Sequence, residues 1–187
     1  MKNLFYTKYK MASIFYIGNI FLETIPQSLK SREELISLVE STPDLCRGQT
    51  SSVQLSYLQL LLHDENNCVV YIEETGIIKG ITVFMVVHDV IQLHIICATK
   101  GFGSILLEKV KQIGRKLGLK TISLVSKKET VGFYTKNGFN IVSNTNEIIY
   151  NLEYNLTGGR RHKRKSKKSK TIRKRKNPKN STRRKKK

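Results

Sequence analysis

Apolar residues change their spacing several times along this chain, and each change marks an element. Ala12 to Gly18 has the apolar density of a buried strand. Ser31-Arg32-Glu33-Glu34 then reads as a capping box, in which a serine hydroxyl and a glutamate carboxylate satisfy each other's orphan amides. The helix it opens runs to about Glu40, with Leu35, Leu38 and Val39 on one face and Pro43 as its stop. Ser51-Ser52-Val53-Gln54 repeats the signal ahead of Leu55, Leu58, Leu61 and Leu62, a helical stripe that reaches about His63. After the turn pair Asn66-Asn67 the pattern becomes β-branched. Cys68–Glu73, Ile77–Val87 and Val90–Cys97 follow one another across Thr75-Gly76 and His88-Asp89, the spacing of an antiparallel meander. A glycine loop leads into a helix from about Gly103 to Leu117, striped by Leu106, Val110, Ile113 and Leu117 and capped by Gly118. Thr121–Val125 is a strand. Ser126-Lys127-Lys128-Glu129 is a third capping box, for a helix that ends at Asn137-Gly138. Ile141-Val142 and Ile148–Tyr154 close the pattern as strand, in a hairpin around Ser143–Asn146. No internal repeat is present. The order β-α-α-β-β-β-α-β-α-β predicts an α/β fold: a mixed, mostly antiparallel central sheet with helices on its faces.

Charge divides the chain in two. Of 34 Lys and Arg and 14 Asp and Glu among 187 residues, 18 of the cations and none of the acids lie at 158–187, which leaves 16 against 14 before it. Residues 1–157 are thus expected to form one folded domain, and residues 158–187 a basic tail behind the joint Gly158-Gly159. With Ile172 as its only aliphatic residue, the tail cannot bury a core and is expected to be disordered. Its expected partner is a polyanion or nucleic acid, through residues 160–187, by counterion release. It has no aromatic residue for base stacking, so binding should be blind to sequence. Clusters of this kind also read as nuclear localisation signals. Similar basic ends after a Gly-Gly resemble those of some large DNA virus proteins.

The three cysteines, Cys46, Cys68 and Cys97, are scattered and odd in number. That points away from a disulfide framework or zinc site and toward a reducing, intracellular setting. Met11–Leu22, behind Lys2, Lys8 and Lys10, has the outline of a signal peptide. No A-x-A-like cleavage site follows it, and it is too short to span a bilayer, so the expectation is a first buried strand and no membrane partner. Met11 is a second candidate start.

The most informative segment is Ile91–Leu107. A buried strand runs into Lys100-Gly101-Phe102-Gly103, which opens an amphipathic helix. The first turn of a helix has amides without internal partners, and glycine lets an anion approach them closely. Strand, glycine turn and helix start therefore make a phosphate cradle, with Lys100 adding a full charge. The alternative is a tight turn and nothing more. The segment is not a Walker loop, which would end in Gly-Lys-Ser/Thr. Nor is it a dinucleotide fingerprint, whose third glycine would fall at Leu106.

Lys100-Gly101-Phe102-Gly103 followed by Ser104-Ile105-Leu106-Leu107 resembles motif A of the GNAT acetyltransferases, R/Q-x-x-G-x-G/A. Val131-Gly132-Phe133-Tyr134-Thr135-Lys136-Asn137-Gly138-Phe139 is similar to that family's second landmark, A-x-x-F-Y-x-x-x-G-F. The resemblance covers roughly residues 67–154 and leaves the tail outside. It implies acetyl-CoA as co-substrate and no metal. The pyrophosphate would sit on the amides of Lys100, Gly101, Phe102, Gly103 and Ser104, and the pantetheine arm would pair with the backbone of Ile95, Ile96 and Cys97. The thioester would lie between splayed strands 90–97 and 121–125. Tyr134 matches the tyrosine that in many members protonates the departing thiolate. The chain departs from the pattern at three places: Ala98 stands at the first motif position, the loop is only Ala98-Thr99 long before Lys100, and Lys127 replaces a frequent asparagine.

Many members take the amine's proton with a glutamate on the strand before motif A. Here that strand carries no acid. It offers Gln92 and His94, which alternation puts on one face, with Asp89 at its start. His94 is the candidate base, and a water chain is the alternative. Cys97 is expected to be structural rather than a nucleophile. The resulting expectation is transfer of an acetyl group from acetyl-CoA to an amine, on a protein lysine, an N-terminus or a small molecule. The alternative is an inactive GNAT-like module that binds nucleic acid.

Overall fold

The computed structural model describes residues 12–20, 25–42, 45 and 52–157. The elements are β1 (Ala12–Ile17), α1 (Arg32–Glu40), α2 (Ser52–His63), β2 (Cys68–Glu74), β3 (Ile77–Val87), β4 (Val90–Ala98), α3 (Phe102–Lys116), β5 (Thr121–Lys127), α4 (Lys128–Lys136), β6 (Asn140–Thr145) and β7 (Ile149–Asn155). One seven-stranded sheet holds all the strands, in the order β1-β2-β3-β4-β5-β7-β6. Only β4 and β5 are parallel, with α3 as the crossover between them. The rest is antiparallel, and the mixed sheet matches the sequence expectation. Among the described residues no helix is long and apolar enough to cross a membrane.

Two cores cover the two faces of this sheet. Strand residues such as Val70, Phe84, Ile91, Leu93, Ile122 and Leu152 pack with Leu106, Leu107 and Val110 of α3 and with Phe139. Val69, Tyr71, Ile81, Val83 and Ile95 pack on the other face with Leu35, Ile36 and Val39 of α1 and Leu58, Leu61 and Leu62 of α2. Of the predicted stripes, Leu35 and Val39 of α1, Leu58, Leu61 and Leu62 of α2, and Leu106, Val110 and Ile113 of α3 are buried, Leu38 and Leu117 are partly buried, Ile36 is buried besides, and the side chain of Leu55 lies outside the described residues. Gly80 of β3 explains how closely α3 lies on the sheet. A Cβ there would come within 2.9 Å of Leu106 Cδ1 and 3.0 Å of Ala98 Cβ.

Local signals are kept where nothing competes with them. Ser31 Oγ accepts from the Glu34 amide at 3.2 Å, and Glu34 Oε2 accepts from the Ser31 amide at 2.7 Å, so the first capping box forms as expected. Arg32 then ties α1 to the end of α2, donating to the carbonyls of Leu62 at 2.9 Å and Asn67 at 2.6 Å. Gly118 (φ 68°) and Gly138 (φ 89°) adopt the left-handed backbone after their helices. Of the second box, Ser51 and the side chains of Ser52, Val53 and Gln54 lie outside the described residues.

Three expectations need correction. Ser126 is not a cap. β5 continues through Ser126 and Lys127, which pair with Tyr150 and Ile149 of β7, and Lys127 becomes the N-cap without a side-chain bond. Ser126 Oγ instead pairs with Thr130 Oγ1 at 2.7 Å. The last hairpin turns later than expected, across Asn146, Glu147 and Ile148, because β6 extends to Thr145, which pairs with Ile149; Asn146 and Glu147 have positive φ, 59° and 55°. Cys97 is disulfide-bonded, whereas Cys68 is a free, buried thiol.

Ser31→Ala should remove one of the two capping bonds and lower stability by about 1 kcal/mol. A urea titration would read this as a lower midpoint at unchanged slope; an unchanged midpoint would mean that α1 does not depend on its cap.

Candidate functional site

The parallel ladder between β4 and β5 is short. It pairs Val90 with Thr121, Ile91 with Ile122, Gln92 with Ser123 and Leu93 with Leu124, and there it stops. β4 continues to Ala98 and β5 to Lys127, so the strands part beyond Leu93. On its other side β4 is bulged. Val83 of β3 faces Ile95 and Phe84 faces Leu93, which leaves His94 as the extra residue. The bulge resets the alternation. Ile91 and Leu93 point into the α3 core, but Ile95 and Cys97 point into the α1–α2 core. Thr82 answers the distortion, its buried hydroxyl donating to the Ile95 carbonyl at 2.9 Å.

A pocket of about 260 Å³ opens where β4 ends. It is lined by Ile96, Ala98, Thr99, Lys100, Gly101, Gly103, Phe133 and Tyr134. The loop is pinned to β3: Thr99 donates to the Lys79 carbonyl through its amide (2.9 Å) and its hydroxyl (3.1 Å), and the Phe102 amide donates back to Thr99. Gly101, at φ 97°, caps α3 without any side-chain bond. A Cβ on Gly103 would stand 3.4 Å from the Phe133 ring, in ordinary contact with it, and the glycine leaves that space to the pocket. The lining holds a lysine and no carboxylate, and it abuts the electropositive start of α3. Of the sequence-selected loop residues, Ile96, Lys100, Gly101 and Gly103 line this pocket. Ile95, Cys97 and Phe102 place their side chains in the cores, and Ser104 is exposed on the first turn of α3.

Tyr134 reaches the same pocket from α4, its ring edge-on to Phe133 (5.1 Å) and Phe139 (5.8 Å). Burial pushes its phenol up to about 12, so the proton stays on at neutral pH. The α4 terminus that follows it is fixed by a buried lysine. Lys111 Nζ donates to the Asn137 carbonyl at 2.7 Å and sits 4.4 Å from the centre of the Tyr154 ring.

No protein-family model and no curated protein matches the sequence. Solved structures do match in shape. The PaiA N-acetyltransferase of Thermoplasma acidophilum, in complex with coenzyme A, superimposes at a TM-score of 0.55 over 76% of this chain and 99% of its own, with 16% identity. A putative GNAT-family acetyltransferase from Desulfovibrio desulfuricans gives 0.58 over 77% and 99%, with 13% identity. The ribosomal-protein-S18-alanine N-acetyltransferase of Escherichia coli gives 0.55 over 78% and 94%, with 16% identity. The chain has the GNAT acetyltransferase fold.

In this GNAT fold a second, larger cleft of about 590 Å³ lies beside the parting strands. Tyr57, Gln92, His94, Ser123, Asn151 and Glu153 supply its polar lining. His94 therefore does not share a cavity with Tyr134: the imidazole lines the larger cleft and the phenol the smaller pocket. Burial holds His94 below its ordinary value, opposed in part by the Asp64 carboxylate, so the imidazole is neutral and able to accept a proton. Gln92 shares the cleft with it, as alternation suggested. Asp89 is engaged elsewhere, in a 2.6 Å ion pair with Lys120. Glu153, Tyr57 and Asn151 were not selected from sequence. Strand alternation would have paired Glu153 with Asn151 on one face of β7, but only the β5–β7 register, Ser123 opposite Glu153, puts them in this cleft. Among the described residues no group of three or more His, Cys, Asp or Glu could hold a metal ion.

His94 also sets a pH dependence. Its folded-state value is depressed, so below about 6.5 the unfolded chain binds a proton that the native state refuses. The stability this contributes is complete above that value and is lost as pH falls through the folded one. Thermal melts between pH 7.5 and 5 should therefore show a steeper loss for the wild type than for His94→Gln. Parallel curves would mean that His94 is not held neutral by the fold.

Proposed function

We propose that this protein is an N-acetyltransferase that takes its acetyl group from acetyl-CoA and delivers it to an amine. The observation that carries the reading is the pairing of an acid-free pocket, lined by Gly101 and Gly103 at a helix start, with a parallel ladder that stops at Leu93, short of Ile96 in that lining. Acetyl-CoA fits the first because its pyrophosphate needs amide donors and no carboxylate nearby. Gly101, Gly103 and Ser104 would hold that end, with Lys100 beside them. Beyond Leu93, where β4 has parted from β5, backbone at Ile95 and Ile96 would take the pantetheine arm. When bound, acetyl-CoA supplies an activated acyl group, which the chain's own residues position and whose transfer they assist.

The larger cleft would receive the amine. An ammonium entering it meets the Glu153 carboxylate, and the neutral His94 imidazole is the group able to remove its proton. Tyr134 holds the proton that a leaving thiolate requires. A phenol at about 12 is a weak acid in water, but the burial that raises it would raise a thiol in the same pocket as well, so the two stay matched. The alternative of an inactive fold drew support from the missing glutamate on β4, and Glu153 supplies a carboxylate to the cleft from another strand. Residues 158–187, with their 18 cations and no acid, would hold the enzyme to nucleic acid, in the nucleus or another polyanion-rich compartment.

Two substitutions should separate binding from chemistry. Gly103→Glu places a Cβ against Phe133 and a carboxylate beside the pyrophosphate position. Calorimetry should show acetyl-CoA affinity reduced by about tenfold or more in a folded protein. Tyr134→Phe should leave that affinity unchanged and lower kcat by roughly 10²–10⁴. Undiminished affinity in the first variant, or wild-type kcat in the second, would remove that residue from the mechanism. A chain ending at Thr157 should keep acetyl-CoA affinity and lose most nucleic-acid affinity at about 150 mM salt. Equal DNA binding by the shortened chain would place the nucleic-acid surface in the domain.

A further inference from the structure

We propose that the lysines of this chain's own basic tail are acceptors for the larger cleft, so that the enzyme acetylates its tail in cis and thereby lowers the tail's charge. This rests on the acetyltransferase reading above.

Three observations converge on the tail as occupant. The first is charge: Glu153 puts a carboxylate in a cleft otherwise lined by neutral polar groups and His94, and the tail offers 11 lysines with no acid among them. The second is chemistry. The cleft holds a group able to deprotonate an ammonium, and lysine, unlike arginine, yields a nucleophile when deprotonated. The third is connection. β7 is the strand that supplies Asn151 and Glu153, and it is also the strand that leads into the tail. Three residues past Glu153, the Leu156 amide donates to the Lys120 carbonyl at 2.8 Å, which anchors the end of the domain beside β5. Lys163 follows Glu153 by ten positions, and ten residues span at most about 33–36 Å, more than a return to the same strand requires. An acceptor tethered so closely meets its site at an effective concentration of order millimolar, ahead of dilute external amines.

The reaction balances without a further reagent. A tail lysine ammonium gives one proton to His94, its nitrogen attacks the thioester carbonyl carbon of acetyl-CoA, and that nitrogen sheds its second proton to water as the amide forms. The N–C bond forms and the C–S bond breaks. The sulfur takes a proton from Tyr134, and exchange with water restores both residues. The products are Nε-acetyl-lysine, CoA and one proton released to water, and nothing is oxidised or reduced. Each event removes one positive charge, so the enzyme would weaken its own hold on nucleic acid as it works.

The test uses the full chain with acetyl-CoA and no added acceptor, read by intact mass and peptide mapping. The expected result is successive acetyl increments within residues 160–187. Their rate per molecule should not change on dilution, and it should fall by about tenfold in Glu153→Gln. Without acetyl-CoA, a zero-length carboxylate–amine cross-linker should join Glu153 to tail lysines. An unmodified tail, a rate that falls with dilution, equal modification of Gly103→Glu, or no Glu153–tail cross-link would each overturn the inference. A lysine-rich peptide in a parallel reaction tells the two failures apart. If the peptide is acetylated and the tail is not, the cis acceptor is wrong and the activity stands; if neither is modified, both readings fall.

Discussion

The parting of β4 from β5 after Leu93–Leu124 is the constraint on which the rest of the structure turns. A parallel pair that continued to Ala98 and Lys127 would seal the sheet and leave no access to its middle. Instead the ladder stops after four pairs, and the molecule places a cavity on each side of the break. The end of β5 is held by β7, to which it stays paired as far as Lys127, while the end of β4 is held by β3. The two strands are pulled toward opposite neighbours, and the gap is thus built into the pairing rather than left by poor packing.

The bulge at His94 is the second half of this device. It lets β4 change phase without leaving β3, so that the same strand contributes Leu93 to one core and Ile95 to the other. It also presents His94 and Gln92 together to the larger cleft. Burial then keeps His94 neutral, which suits a proton acceptor and costs stability only when the medium turns acidic. On the far side of the break, Gly80 allows α3 to close in on the sheet, and the short Thr99-Lys100-Gly101 connection brings the start of α3 to the end of β4.

How much of this could be read from sequence depended on the range of the interaction. The Ser31–Glu34 box, the left-handed glycines and the stripes of three helices are local or periodic, and they were legible. The Ser126 box failed for a long-range reason: pairing with Tyr150 outweighed a local cap. The late turn at Asn146-Glu147 has the same origin, since β7 draws β6 out to Thr145. At the candidate site, the glycine loop and Tyr134 stood out because motif spacing is sequence-local. Glu153 did not, because it joins His94 only through two registers of the sheet. The bulge was hidden as well: Ile91, Leu93, Ile95 and Cys97 alternate cleanly in sequence, although the structure divides them between two cores.

As proposed, the break beyond Leu93 is a binding slot completed by the start of α3. Amide hydrogen exchange, measured with and without saturating CoA, addresses it most directly. Exchange should slow at residues 94–104, on the open stretch of β4 and the first turn of α3, while the β2–β3 ladder is unchanged. Slowing elsewhere with none at 94–104, or no slowing at all, would contradict it.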